Sequence, residues 1–332
     1  MKILPETNTS FGDLYRMIVE PVRSKLLLTG IELKVFNQLS EPKPADAVVH
    51  AIGTHPVNTR MFLDSLTAID LLQKKNGLYR NSPITQAFLV EEGPTYLGAA
   101  LQMLHSQLSL ENLSKLVKEG PPTTPEMTFS EEMFAQDYAR IERAGDAQII
   151  VDIVSELPEF PSFHKMLDLG GGPGLIGMAV VAVHPSMKGV IFDLPPVVKV
   201  SETFIKEYGM EDRMKAIGGD VYRDSIGEGY DLVLACSSVQ GYRDKLDSVV
   251  KKVYDVLNTS GVFVSYFYGL THEGSKPEIF VLSILSMAMA GYDTGFDQGF
   301  VADSMLRAGF KSVRSRTLTT PWGPMELDIA RK

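Results

Sequence analysis

The sequence predicts an α/β protein, with a doubly wound, Rossmann-like sheet in its C-terminal half and a helical, winged-helix-like region ahead of it. Three observations carry this expectation. Beyond residue 160, short β-rich runs alternate with helical stretches ("KMLDLG", "GVIFDLP", "MKAIGGD", "YDLVLAC", "GVFVSYF"), as a parallel sheet with crossover helices requires. The first run leads into "LDLGGGPGLIG" (167–177), a glycine-dense turn of the kind that lets a backbone approach a nucleotide. Before residue 160 the order is helix, turn, helix, hairpin.

Residues 11–39 carry apolar side chains at helical spacing: Leu14, Met17 and Ile18, then Leu26, Leu27, Ile31, Val35 and Phe36. "EPKPAD" breaks that pattern. "ADAVVHAIG" and "VNTRMFLDSLTAIDLLQ" read as two helices joined at "GTHP", and Asn76-Gly77 within 74–83 is a hairpin signal. Helices follow over about 95–119 and 129–156, separated by a loop at 119–127, and "PEFPSF" reads as a linker. The change of texture puts the domain boundary at 160, giving domains of 1–160 and 161–332.

Of 332 residues, 44% are apolar and 22% charged, so a sizeable core is expected. The net charge is −9 with no Lys/Arg block, which argues against nucleic acid or an anionic membrane surface as partner. A groove-reading role for the winged-helix pattern is likewise disfavoured, because its second helix offers only Arg60 against Asp64 and Asp70. One cysteine, Cys236, permits no internal disulfide, and the N-terminus lacks the apolar core of a signal peptide. The apolar stretch 279–291 is too short to span a bilayer. Together these point to a cytoplasmic protein. No His/Cys cluster has metal-ligand spacing, so no metal is expected.

The glycine loop parses in two ways. Gly172 to Gly177 fits G-x-G-x-x-G, the dinucleotide fingerprint, while Asp168 to Gly174 fits D-x-G-x-G-x-G, the pattern of S-adenosylmethionine binders. Asp168 decides between them. A carboxylate just ahead of the glycines repels a pyrophosphate, whereas it suits the ammonium of a methionyl group. Asp193 ends the next run, where it can take two ribose hydroxyls, and Asp220 ends the third, within reach of an adenine amino group. Three carboxylates at successive strand ends outline the ligand crevice of an open sheet, although each could instead cap a turn.

These stretches, with "VLNTSGVFV" and "LRAGF", resemble the S-adenosylmethionine-dependent O-methyltransferases of plant phenolics and of bacterial polyketides and pigments. "GIELKVFNQL" through "LYRNSPITQAFL" resembles that family's N-terminal dimerisation domain. The resemblance implies a homodimer, S-adenosylmethionine as methyl donor and S-adenosylhomocysteine as product. It implies Gly170 and Gly172 on the methionyl portion, Asp193 on the ribose, Asp220 with Val221 on the adenine, and Leu194 at the cofactor. Cys236 stands where plant members often carry a lysine beside the donor.

The acceptor side departs from the family. Members with phenolic acceptors carry His-Asp-Trp-x-Asp after the fourth strand, the His being the general base. Here the stretch reads Gln240-Gly241-Tyr242-Arg243-Asp244. A glutamine amide does not accept a proton near neutral pH. Two glutamates that the family places near "VSYFYG" and "YDTGFDQ" are missing as well. Three readings stay open. The acceptor is ionised or otherwise needs no strong base; or Asp244, Tyr242, His272 or His105 supplies the base; or the chain binds the cofactor for altered chemistry or a non-catalytic, regulatory role. Met103, Phe134, Tyr138 and Met287 are candidate pocket residues, with Met289, Ser237 and Ser238 beside them, implying a small, apolar, planar acceptor.

Overall fold

A computed structural model describes residues 7–122, 130–292 and 295–332, and excludes the Gln240 side chain. Part of the loop read at 119–127 and part of "YDTGFDQ" therefore lie outside the described residues. The chain forms two compact units, Met1–Gln102 and Met103–Lys332.

In the first unit α1 (Gly12–Glu32) precedes the short strand β1 (Lys43–Pro44), then α2 (Ala45–Ile52) and α3 (Pro56–Ala68). The hairpin strands β2 (Leu72–Lys75) and β3 (Leu78–Asn81) turn at Asn76 and Gly77, both left-handed at φ 51° and 80°, as a two-residue hairpin of this twist demands. The sheet order is β1-β3-β2, and α4 (Pro83–Phe88) follows. Leu63, Leu66, Val48, Leu39 and Tyr79 form its core. Two basic residues of the winged pattern have acidic partners within the unit: Arg60 donates to Asp46 and Lys74 to Asp64.

The division between the units falls inside α5 (Gly98–Gln107), well ahead of the boundary at 160 read from the sequence. The reason is burial. After α6 (Leu113–Glu119) and α7 (Glu131–Ile141), α8 (Ala147–Ser155) buries Ile150 and Val154 in one core with Met178 and Val181 of α9 (Leu175–Val183). That stretch reads as helical but packs on the sheet. Between α7 and α8 the expected continuous helix is interrupted by a π-turn, Glu142–Asp146, in which Gly145 is non-helical at φ 144°. Such bulges are rare and concentrate at functional sites.

The second unit's sheet runs β6-β5-β4-β7-β8-β10-β9. Its parallel part comprises β4 (Lys165–Leu169), β5 (Lys188–Asp193), β6 (Met214–Gly218), β7 (Tyr230–Cys236) and β8 (Leu257–Tyr268). Two strands absent from the sequence reading, β9 (Ser312–Thr320) and β10 (Gly323–Arg331), close the edge as an antiparallel hairpin on β8. The sheet is doubly wound. Met166, Leu232, Leu234 and Val262 pack with α8 and α9, while Leu167, Leu169, Val233 and Phe263 pack with α11 (Leu246–Val256) and α13 (Phe300–Ala308). The period of two in a strand produces these two faces. α10 (Pro195–Glu207) follows β5, and α12 (Glu278–Met289) follows β8. The chain proceeds from β4 outward to β6, then returns to place β7 on the other side of β4, which makes the carboxyl ends of β4 and β7 the switch point where α/β sheets open a ligand crevice.

Candidate active site

Glycine is required in the loop after β4 for two different reasons. Gly170, Gly172 and Gly174 have φ of 65°, 56° and 85°, a region that disfavours side chains. Space is the second reason: a Cβ on Gly170 would lie 2.5 Å from Ser238 Cβ, and one on Gly174 2.3 Å from Ile191 Cδ1. At Gly172, by contrast, a Cβ would meet nothing within 4 Å. The loop is therefore packed on its protein side and open at Gly172. Ser238 Oγ donates to Leu169 O at 2.8 Å, tying the end of β7 to that of β4 across the switch point.

Asp168 sits beneath this loop, 1% exposed, and accepts from Gly177 N at 3.1 Å. Burial raises its pKa to about 7, Asp193 adding to the effect. It braces the turn from below, and Cβ atoms on Gly171 or Gly177 would collide with it.

A residue that the sequence reading did not single out occupies the helix N-terminus. Glu142 of the π-turn is buried and accepts from Leu175 N at 3.0 Å and Ile176 N at 3.3 Å. Burial and the Asp168 charge push its pKa well up. The N–H groups at the start of α9 are where a dinucleotide's pyrophosphate would bind, and here a carboxylate already uses them. The crevice thus suits a nucleoside without phosphates. The exclusion drawn from Asp168 has a stronger physical basis in Glu142, which lies 26 residues ahead of Asp168 and is brought in by tertiary packing.

Asp193, at the end of β5, accepts from Gly172 N at 2.8 Å and Leu194 N at 2.7 Å. It is partly exposed, Leu194 is 43% exposed, and burial raises the Asp193 pKa. Each carboxylate oxygen keeps a lone pair for a diol. Asp220 accepts from Tyr222 N at 2.8 Å and pairs with Arg223 at 3.5 Å, so its carboxylate caps the turn after β6, while Val221 is buried beside it. Tyr242 lies over the loop, its hydroxyl 3.3 Å from where a Gly170 Cβ would be, and burial pushes its pKa up. Gln240 and Asp244 lie on the 3-10 turn Val239–Lys245, with Asp244 exposed.

Cys236 ends β7, and burial pushes its thiol well up, the Asp168, Glu142 and Asp146 charges adding to the effect. Tyr138 and Phe134 of α7 form a tilted ring pair with centroids 4.4 Å apart, and Tyr268 stacks on Phe280 at 4.9 Å. Met103 on α5 is partly buried and Met287 on α12 is 43% exposed. These two helices are linked where Ser286 Oγ donates to Gln107 O at 2.6 Å.

His272 is not brought to the glycine loop. It is exposed, left-handed at φ 51°, and lines a cleft of about 430 Å³ with Thr271, Lys276, Gln298, Thr317 and Glu326. Thr317 and Glu326 belong to β9 and β10, so this cleft lies at the far sheet edge, beyond β7 and β8 as seen from β4. His105 is exposed in the last turn of α5. Among the described residues no group of three or more His, Cys, Asp or Glu is placed to hold a metal, and no helix is long and apolar enough to cross a membrane.

Fold and crevice together define an α/β enzyme that binds a phosphate-free nucleoside cofactor. A family model described as an O-methyltransferase domain matches residues 123–296, and one described as an O-methyltransferase dimerisation domain matches 16–91. The chain belongs to the S-adenosylmethionine-dependent O-methyltransferase family and is a methyltransferase. It is 25% identical to the tetracenomycin polyketide synthesis 8-O-methyl transferase TcmO of Streptomyces glaucescens, covering 97% of this chain and 96% of that protein. It is 26% identical to the N,N-dimethyltransferase OxyT of Streptomyces rimosus over 74% of each. Human N-acetylserotonin methyltransferase, solved in complex with S-adenosylmethionine, superposes with a TM-score of 0.78 at 20% identity, covering 99% of both chains.

Proposed function

We propose that this methyltransferase transfers a methyl group to a small, apolar, flat molecule, and that it does so without a histidine base at position 240. The observation that carries the donor assignment is the Glu142 carboxylate on the N-terminus of α9, which leaves no seat for a pyrophosphate. Asp193 then holds the ribose hydroxyls, Asp220 and Val221 border the adenine, and the open face of the loop at Gly172 takes the methionyl portion. S-adenosylmethionine supplies an electrophilic methyl on a sulfonium. The chain's contribution is to orient it and to keep water from the crevice. The tilted Phe134–Tyr138 and stacked Tyr268–Phe280 ring pairs support a flat, apolar acceptor.

The dimerisation domain supports a homodimer. Its α1 leaves Leu14, Met17, Ile18 and Val22 exposed along one stripe, at 67%, 67%, 76% and 52%, a surface that a second copy would cover. Calorimetric titration with S-adenosylmethionine, S-adenosylhomocysteine and NAD tests the donor reading. Micromolar binding of both adenosyl ligands with none of NAD is expected, and NAD binding alone overturns it. Light scattering of the wild type and of Ile18→Glu tests the dimer, which the variant should dissociate.

A further inference from the structure

Position 240 carries an amide, yet a carboxylate of the π-turn lies near enough to act on the Cys236 thiol at the end of β7. Asp146 closes the π-turn, and both its oxygens accept from Trp322 Nε1, at 2.7 and 2.8 Å. Among the described residues no Lys or Arg is positioned to stabilise its charge; the indole is its one stabilising partner. The groups that face it are Tyr138 from α7, Glu142 from the π-turn, Cys236 from β7, Tyr266 from β8 and Trp322 from the β9–β10 turn. Partial burial without a cation raises its pKa to about 6, so it is ionised at neutral pH and still basic enough to accept a proton.

A second observation points to a ligand at the same place. Tyr266 is 3% exposed, and among the described residues its hydroxyl has no hydrogen-bond partner. Its polar neighbour Thr320 donates to Gly323 O and accepts from Trp322 N. A buried hydroxyl left unpaired costs about 1–3 kcal/mol, a cost that a bound polar atom would remove. Burial holds this phenol's pKa at about 12, so it is a donor. One wall thus offers a hydrogen-bond donor beside a proton acceptor.

We propose, building on the donor reading above, that Asp146 is the proton acceptor of the reaction and that Tyr266 hydrogen-bonds the attacking atom of the methyl acceptor. A phenolic oxygen satisfies both groups, accepting from Tyr266 and donating to Asp146. An ammonium has no lone pair for Tyr266. In the step, the phenol proton passes to the Asp146 carboxylate while the oxygen lone pair forms the bond to the methyl carbon. The carbon–sulfur bond breaks with its electron pair kept by sulfur. Products are the aryl methyl ether and S-adenosylhomocysteine, and Asp146 then returns the proton to solvent.

The test uses 1-naphthol with the wild type, Asp146→Asn and Tyr266→Phe. S-adenosylhomocysteine should bind all three alike by calorimetry. With S-adenosylmethionine, Asp146→Asn should lose ~10²-fold or more in kcat and the acid limb of its pH profile near 6. Tyr266→Phe should bind 1-naphthol roughly 3- to 10-fold more weakly. Trp322, the chain's one tryptophan, reports independently of turnover: its emission should titrate near pH 6 in the wild type and not in Asp146→Asn. Wild-type turnover or an unmoved acid limb in Asp146→Asn overturns the base assignment. A Tyr266→Phe enzyme that binds 1-naphthol as tightly as the wild type overturns the Tyr266 assignment. Failure of the donor reading itself would appear earlier, as absent S-adenosylhomocysteine binding before any phenol is added.

Discussion

The two halves of the crevice are built in opposite ways. On the donor side nearly every polar group already has a partner within the protein: Asp168 holds Gly177 N, Glu142 holds the start of α9, and Asp193 holds Gly172 N and Leu194 N. At the proposed acceptor wall Tyr266 Oη has none among the described residues, and Asp146 holds a single indole N–H. A seat for a constant ligand is shaped in advance. A wall that meets a particular substrate keeps groups in reserve, and carries the unsatisfied hydrogen-bonding capacity as a cost until the substrate arrives.

The largest expected effect comes from breaking the donor side's packing. Gly174→Val places a β-branched side chain at φ 85° and against Ile191, and should cost about 2–4 kcal/mol by thermal unfolding, through backbone strain and overpacking together. Gly172→Ala is its counterpart. It should cost only about 1 kcal/mol in stability, because its Cβ meets no protein atom, while S-adenosylmethionine affinity falls. Equal stability losses in the two would mean the loop is not open at Gly172.

Asp193→Ala should weaken S-adenosylmethionine roughly 10- to 100-fold in calorimetry, the worth of charge-assisted hydrogen bonds. Unchanged affinity would leave Asp193 as a loop brace. Next, Glu142→Ala strands two N–H groups of α9 and should lose about 1–3 kcal/mol, with Glu142→Gln losing less because its amide oxygen still accepts from them.

A smaller effect is a stability slope with pH. Asp168 at about 7 and Asp146 at about 6 both lie above the ordinary Asp value of 3.8. The folded state therefore binds more protons than the unfolded between about pH 4 and 7, and stability falls as pH rises through that window. Denaturant melts of the ligand-free enzyme should show this decline, and Asp146→Asn should flatten its part near pH 6. A stability that rises over that window would mean these carboxyls are not desolvated. The smallest effect expected is that of Gln240→His, a change in 1-naphthol turnover of less than about threefold, since Asp146 already takes the proton; a gain of ~10²-fold would return the base to position 240.

Much of the fold was legible in the residues. The alternation of apolar runs marked β4 to β8, and Asn76-Gly77 marked the hairpin, because both signals are local and follow from backbone geometry. The hairpin β9–β10 was not marked. "SVRSRTLTT" is polar because β9 is an exposed edge strand, so it lacks the apolar runs that identified the others. The division into compact units at residue 102 was not marked for a related reason: α8 and the strands differ in local texture yet share one core.

The sequence by itself determined the sheet, the glycine loop and the carboxylates at strand ends. Each of these is a short contiguous pattern whose chemistry can be read in place. Only the tertiary structure decided which acidic group occupies the helix N-terminus, and that Asp146, Tyr266 and Trp322 form one wall. Those residues lie 120 and 56 positions apart along the chain, and nothing in their neighbours announces them. Burial against one sheet face brings them together, and burial also gives a carboxylate and a hydroxyl their unusual proton affinities.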